Sequence, residues 1–146
     1  MQAYIAALKK LSTTGVTTEH SFRGSLETLI NTLDKRFIAV NEPKRQACGA
    51  PDYVVLKTAH STAFSIGYIE AKDVWVSLDK IEETEQFRRY VKSLDNLILT
   101  NYLEFRRFVR GEGVVSVVLG KCNQDKSLQI YPDNADDLQA LLFDCM

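Results

Sequence analysis

Pro51-Asp52 opens one apolar run of this chain, and Ile69-Glu70-Ala71-Lys72 closes the next. Two carboxylates and an ammonium are the residue types needed for metal-dependent cleavage of a phosphodiester. Hard oxygen donors suit Mg²⁺, which keeps several of its waters. The ion can activate one of those waters and neutralise charge building on phosphorus. A lysine beside it can orient the attacking water or stabilise the pentavalent transition state.

That chemistry requires Asp52, Glu70 and Lys72 to meet. Residues 52–57 and 65–72 are rich in Val, Ile and Tyr and read as strands, with a loop over His60-Ser61-Thr62. A hairpin is their simplest link, and it would set Asp52 beside the end of the second strand. Side chains alternate faces along a strand. Ile66, Tyr68, Glu70 and Lys72 are therefore expected on one face, with Gly67, Ile69 and Ala71 on the other.

The flanking segments supply helices. Tyr4, Ile5, Leu8 and Leu11 fall at helical spacing within residues 2–11. A second helix is expected from a Thr17 or Thr18 cap to about Lys35, with the stripe Phe22, Leu26, Leu29, Ile30 and Leu33. A strand over 36–42 and a turn over 43–50 follow. Beyond the central strands come a helix over 82–94, a strand over 96–100, and a hairpin of 104–109 with 114–119 around Gly111-Glu112-Gly113. Asp133 or Asn134 can cap a last helix reaching Met146. The order of helix, three strands, helix and strand describes an α/β fold, a mixed central sheet flanked by helices.

Glu19 lies in the first turn of the second helix, within about 35° of the centre of its apolar stripe, whereas Glu27 points about 115° away and is expected in solvent. Glu19 is therefore the acid placed to reach inward. Gln86 and Tyr90 are four apart and meet on one face of the next helix, while Arg88, Arg89 and Lys92 lie on its other side.

With 146 residues, 45% apolar and 25% charged, the chain has the composition of one globular domain. Its formal net charge of −1 excludes a uniformly basic nucleic-acid binder. The charge is nevertheless blocked. Residues 86–110 carry Arg88, Arg89, Lys92, Arg106, Arg107 and Arg110 against Asp95 and Glu104, and blocks that cancel globally can still form a basic face. Cys48, Cys122 and Cys145 show no zinc or disulfide spacing. Reduced thiols, no secretory leader and no apolar run near ~20 residues lead to the expectation of a cytoplasmic protein without a membrane segment.

Pro51-Asp52, Glu70-Ala71-Lys72 and Gln86-x-x-x-Tyr90, in that order, resemble the successive motifs of the PD-(D/E)xK nuclease superfamily in its Gln-x-x-x-Tyr variant. Longer phrases narrow the resemblance: Thr18-Glu19-His20-Ser21-Phe22-Arg23, Asn41-Glu42-Pro43-Lys44-Arg45, Gly49-Ala50-Pro51-Asp52-Tyr53, Gly67-Tyr68-Ile69-Glu70-Ala71-Lys72-Asp73 and Asn96-Leu97-Ile98-Leu99-Thr100-Asn101-Tyr102. They look like the N-terminal nuclease domain of single-chain restriction–modification enzymes, in which a nuclease precedes an adenine-specific methyltransferase and a target-recognition region. The resemblance covers roughly residues 15–120, followed by the C-terminal helix of about 133–146.

The resemblance implies a restriction-endonuclease-like core (αβββαβ) and a Mg²⁺-dependent DNA endonuclease, with Mn²⁺ as a substitute ion. Asp52, Glu70 and the backbone carbonyl of Ala71 would hold the metal. Lys72 would be the catalytic lysine and Glu19 the acid of the first core helix. Gln86, Tyr90, Arg23, Lys44 and Arg45 would organise the site or contact DNA. No Asn-Pro-Pro-Tyr motif or glycine-rich cofactor loop is present. The chain is thus expected to be a nuclease domain whose methyltransferase and target-recognition partners lie elsewhere, and double-strand cleavage would call for a dimer. The alternatives are a standalone DNA-repair-type nuclease and a non-catalytic DNA-binding or assembly module on the same fold.

Overall fold

The computed structural model describes residues 1–14, 19–41 and 49–146, with Glu19 and His20 described in the backbone only. Two helices come first, α1 (Gln2–Ser12) and α2 (Glu19–Leu33), followed by strands β1 (Phe37–Asn41), β2 (Tyr53–Ala59) and β3 (Thr62–Ala71). Helices α3 (Leu78–Glu82) and α4 (Glu85–Ser93) lead to β4 (Asn96–Thr100), β5 (Glu104–Val109) and β6 (Glu112–Val118). The chain ends with a small ribbon, β7 (Gly120–Cys122) and β8 (Leu128–Ile130), and helix α5 (Ala135–Cys145).

Strands β1 to β6 form one sheet in sequence order. Every neighbouring pair is antiparallel except β3 and β4, which run parallel. A parallel pair needs a long crossover, and α3 and α4 supply it. The result is the mixed α/β sheet expected. Its two faces are covered unequally. Helices α1, α2 and α5 bury Leu8, Phe22, Leu26, Ile30, Leu138 and Leu142 against Tyr53, Val55, Ile69, Ile98 and Phe105. On the other face α3 and α4 place Leu78, Phe87 and Tyr90 over Leu97, Leu99 and Phe108. No helix among the described residues is long and apolar enough to cross a membrane.

Several boundaries differ from expectation for local reasons. His60 and Ser61 both have positive φ, 47° and 67°, the geometry of a two-residue turn whose twist matches the strands. Hence β2 and β3 run on to the Ala59–Thr62 pair instead of ending at a three-residue loop. Arg110 and Gly111, at 49° and 91°, form the second such turn, so Glu112 and Gly113 belong to β6 and not to the connection. The helix expected over 82–94 is α4, which starts three residues later, and the short α3 before it was not foreseen. The Thr84 hydroxyl accepts the Phe87 N–H at 3.2 Å and starts α4 afresh, as threonine does at an N-cap. Asn134 occupies the N-cap position of α5 but gives it no side-chain bond; its amide donates instead to the Val118 carbonyl at 2.7 Å. The β7–β8 ribbon was not foreseen. The expected Thr17 or Thr18 cap and most of the 43–50 turn lie outside the described residues.

Strict alternation along β3 also fails at one point. Val55 pairs with Gly67 and Leu56 with Ser65, leaving Ile66 as a bulge. Ile66 packs with the α1/α2/α5 core, away from Tyr68, which packs with the α4 cluster. Beyond the bulge the alternation holds: Ile69 and Ala71 enter the larger core, and Glu70 lines the cleft beside α4.

Candidate active site

The expected residues converge at the C-terminal end of β3. The register pairs Tyr53 with Ile69 antiparallel, so the next step sets Asp52 against Glu70. On the other side the Lys72 N–H donates to the Thr100 carbonyl at 2.8 Å, extending the parallel pairing by one bond. The backbone that carries the three chemical residues is therefore held by sheet hydrogen bonds on both sides.

Both Asp52 oxygens are anchored. Its Oδ2 accepts the Ala71 N–H at 2.8 Å, and its Oδ1 accepts the Arg23 guanidinium at 3.0 Å. Arg23 also donates to Asn41 Oδ1 at 3.0 Å. The buried Tyr53 ties α2 down at the same residue, its hydroxyl donating to the Arg23 carbonyl at 3.2 Å. Arg23, expected among the auxiliary or DNA-contacting residues, is thus turned inward onto Asp52, with 11% of its side chain exposed. Asn41, which fixes Arg23, was not singled out from the sequence; its signal is its place opposite Tyr53 at the end of β1.

Glu70 is only 5% exposed. Its Oε1 accepts Lys72 Nζ at 2.7 Å. Burial pushes the Glu70 carboxyl up to about 6, and the neighbouring Asp52 charge pushes the same way, while Lys72 and the Asp52 backbone pull it partly back. Neighbouring carboxylates repel, and among the described residues Arg23 pairs with Asp52 and Lys72 with Glu70.

Helix α4 closes the site from the side. The Tyr90 hydroxyl donates to the Ala50 carbonyl at 3.0 Å and accepts from Gln86 Nε2 at 3.1 Å. Gly49 has φ +123°, and a Cβ there would lie 3.1 Å from the Tyr90 ring. Only glycine suits both conditions. Gln86 and Tyr90 thereby pin the segment that leads into Asp52. Tyr90→Phe leaves the Ala50 carbonyl without that donor and is expected to lower stability by about 1 kcal/mol, read as a reduced urea midpoint; an unchanged midpoint would mean that the bond contributes nothing to holding Asp52.

Glu70, Lys72, Ile81, Thr84, Gln86, Phe87 and Tyr90 line a small cleft of about 50 Å³, room for an ion or a water or two. A larger hollow of about 230 Å³ between α1 and α2 is lined by Ala3, Ala7, Gly24, Ser25 and Thr28, among others, and holds no carboxylate. Glu19 opens α2, but its side chain, like Lys44 and Arg45 altogether, lies outside the described residues. No group of three or more His, Cys, Asp or Glu capable of holding a metal occurs among the described residues. Glu27, expected in solvent, is half-buried. Its charge helps raise the Tyr53 hydroxyl, an effect due first to burial.

No protein-family model matches the chain, and no curated protein does. It is similar to a chain of the cryo-EM structure of a DrdV–DNA complex, with a TM-score of 0.73 over 97% of this chain and 94% of that one, at 19% identity. At that identity the likeness is one of fold: the restriction-endonuclease-like α/β core expected from the sequence.

Proposed function

We propose that this chain is a Mg²⁺-dependent DNA endonuclease domain that hydrolyses phosphodiester bonds, the cleavage part of a restriction–modification enzyme. The observation that carries this reading is the Asp52–Glu70–Lys72 constellation at the open end of β3, with Lys72 Nζ 2.7 Å from Glu70. Its fold is also that of a chain whose structure is described as a complex with DNA. Asp52, Glu70 and the Ala71 carbonyl would hold the ion; oxygen donors of this kind fit Mg²⁺ or Mn²⁺. The Glu70 carboxyl is raised first by burial and then by the Asp52 charge, and a divalent cation between the two acids would relieve both. The bound ion supplies Lewis acidity and a more acidic water.

The chain's own groups do the rest. The Ala71 N–H and Arg23 hold Asp52 in one orientation. Glu70 holds the Lys72 ammonium at the cleft, where it can meet an oxygen of the scissile phosphate as charge builds there. Gln86 and Tyr90 keep the approach segment in place. Methyltransferase and target-recognition functions would come from other regions or partners, and double-strand cleavage from pairing of two such sites.

The test is supercoiled plasmid incubated with the purified protein in Mg²⁺, in Mn²⁺ and in EDTA. Nicked circles are expected with either metal and none with EDTA. One observation favours a second reading, a DNA-binding module without catalysis: both carboxylates are already ion-paired, with Arg23 and with Lys72. DNA binding without cleavage under any metal would select that reading.

A further inference from the structure

We infer that the outward face of α4, Arg88, Arg89 and Lys92, continued by Arg110, is the track that holds the DNA phosphates leading to the cleft. The inference rests on the function proposed above and adds the surface that would seat the substrate. The six basic residues of the 86–110 block separate into two groups in the fold. Arg106 is engaged by Glu104, Asp79 and Glu82 at 2.6, 2.7 and 2.6 Å. Arg107 is half-buried and reaches Asn96. The other four are outside such networks: Arg88, Arg89, Lys92 and, in a turn, Arg110 are exposed, and among the described residues none of them makes an ion pair.

These four cations lie together. Helix α4 buries Phe87 and Tyr90, which leaves Arg88, Arg89 and Lys92 on the side away from the core by the 100° helical step. Arg89 is three residues from Gln86 and three from Lys92, so it neighbours both and links them along the surface. Gln86 lines the cleft of Glu70 and Lys72. At the far end, a Cβ on Gly111 would lie 3.9 Å from the Val91 carbonyl, which brings the Arg110 turn against the helix. Glu85 precedes the helical part of this face and no acid interrupts it between residues 86 and 94; Asp95, whose carbonyl accepts the Arg110 N–H at 2.9 Å, and Glu112 stand beside the Arg110 turn. In a chain of net charge −1, a contiguous run of cations that begins at the catalytic cleft matches a polyanion whose backbone must pass that cleft. Such contacts position DNA without reading its sequence.

The experiment measures binding of a fluorescein-labelled DNA duplex by anisotropy across a NaCl series, with Ca²⁺ in place of Mg²⁺. It compares the unaltered protein, Arg89→Gln/Lys92→Gln, and Lys9→Gln/Lys10→Gln on exposed positions of α1. Both doubles change the net charge equally. Plasmid cleavage by the unaltered protein is scored alongside, and thermal melts confirm that the variants fold. The α4 double is expected to flatten the slope of log K against log salt by about 2, roughly 1 per cation removed, and to weaken binding roughly tenfold, while the α1 double follows the unaltered protein. If the protein binds and cleaves DNA but the two doubles behave alike, this inference falls and the proposed function stands. If the unaltered protein neither binds nor cleaves DNA, the proposed function falls and the inference with it.

Discussion

Lys72→Ala is expected to lower metal-dependent plasmid cleavage by about 10²–10³-fold, the usual effect of removing one group aimed at developing charge, while the fold persists. The two halves of that expectation have separate sources. Lys72 contributes to the sheet through its backbone N–H, which donates to the Thr100 carbonyl at 2.8 Å and is untouched by the substitution. Its side chain is 27% exposed and reaches Glu70 Oε1 at 2.7 Å, so truncation leaves little unfilled volume but removes the only cation recorded on Glu70 among the described residues. The measurement is initial rate against supercoiled plasmid, with circular dichroism as the control for folding. A folded Lys72→Ala protein that still cleaves at the unaltered rate in Mg²⁺ would remove Lys72 from the chemistry.

Glu70→Gln is expected to do two opposite things: abolish cleavage and stabilise the metal-free protein at pH 8. Burial, reinforced by Asp52, raises the Glu70 carboxyl from 4.5 to about 6, a gap worth about 2 kcal/mol. Because the folded state binds this proton more tightly than the unfolded state, the favourable contribution is present below pH 4.5 and is lost as pH rises through about 6. At pH 8 the ionised carboxylate is a net cost that glutamine avoids. Lys72 loses its charged contact with Glu70 in the variant, but its side chain is 27% exposed and can be hydrated, so a gain of about 1–2 kcal/mol remains. Urea midpoints in EDTA at pH 8 and pH 4.5 test this: the variant should lead clearly at pH 8 and converge with the unaltered protein at pH 4.5. A variant less stable at pH 8, or an equal difference at both pH values, would show that Glu70 carries no such strain.

The placement of Asp52 against Glu70 was legible because it depends on short-range rules. Two β-rich runs joined by a short polar connection make an antiparallel hairpin, and a period of two decides which residues share a face. Strand β4 was legible for a similar reason, its bounds of Asn96–Thr100 matching the expected strand. What was not legible depends on distant or backbone partners. Arg23 could be named, but Asp52, 29 positions away, is found only by folding α2 onto β2. Tyr90 bonds the carbonyl of Ala50, a backbone atom that no side-chain motif advertises. The stripe arithmetic that sent Glu27 to solvent treated α2 as an isolated cylinder and left out β2, whose Tyr53 hydroxyl bonds the Arg23 carbonyl one turn before Glu27. The start of α4 was placed three residues early because apolar periodicity outweighed the capping signal of Thr84, and the five-residue α3 is too short to show a period.

The bulge at Ile66 divides β3 into two stretches with independent phase. The half from Thr62 to Ser65 and the half from Gly67 to Ala71 each keep their own pairing with β2, and the Asn96 amide, 2.8 Å from the Ile66 carbonyl, clamps the joint between them. Length changes at the hairpin tip are thereby absorbed before they reach Glu70, whereas a single-residue deletion between Gly67 and Ile69 would swing the carboxylate to the opposite face of the sheet. The tip around His60 and Ser61 is accordingly the place on this strand where a tag or an inserted loop can be grafted without detuning the chemistry at its other end.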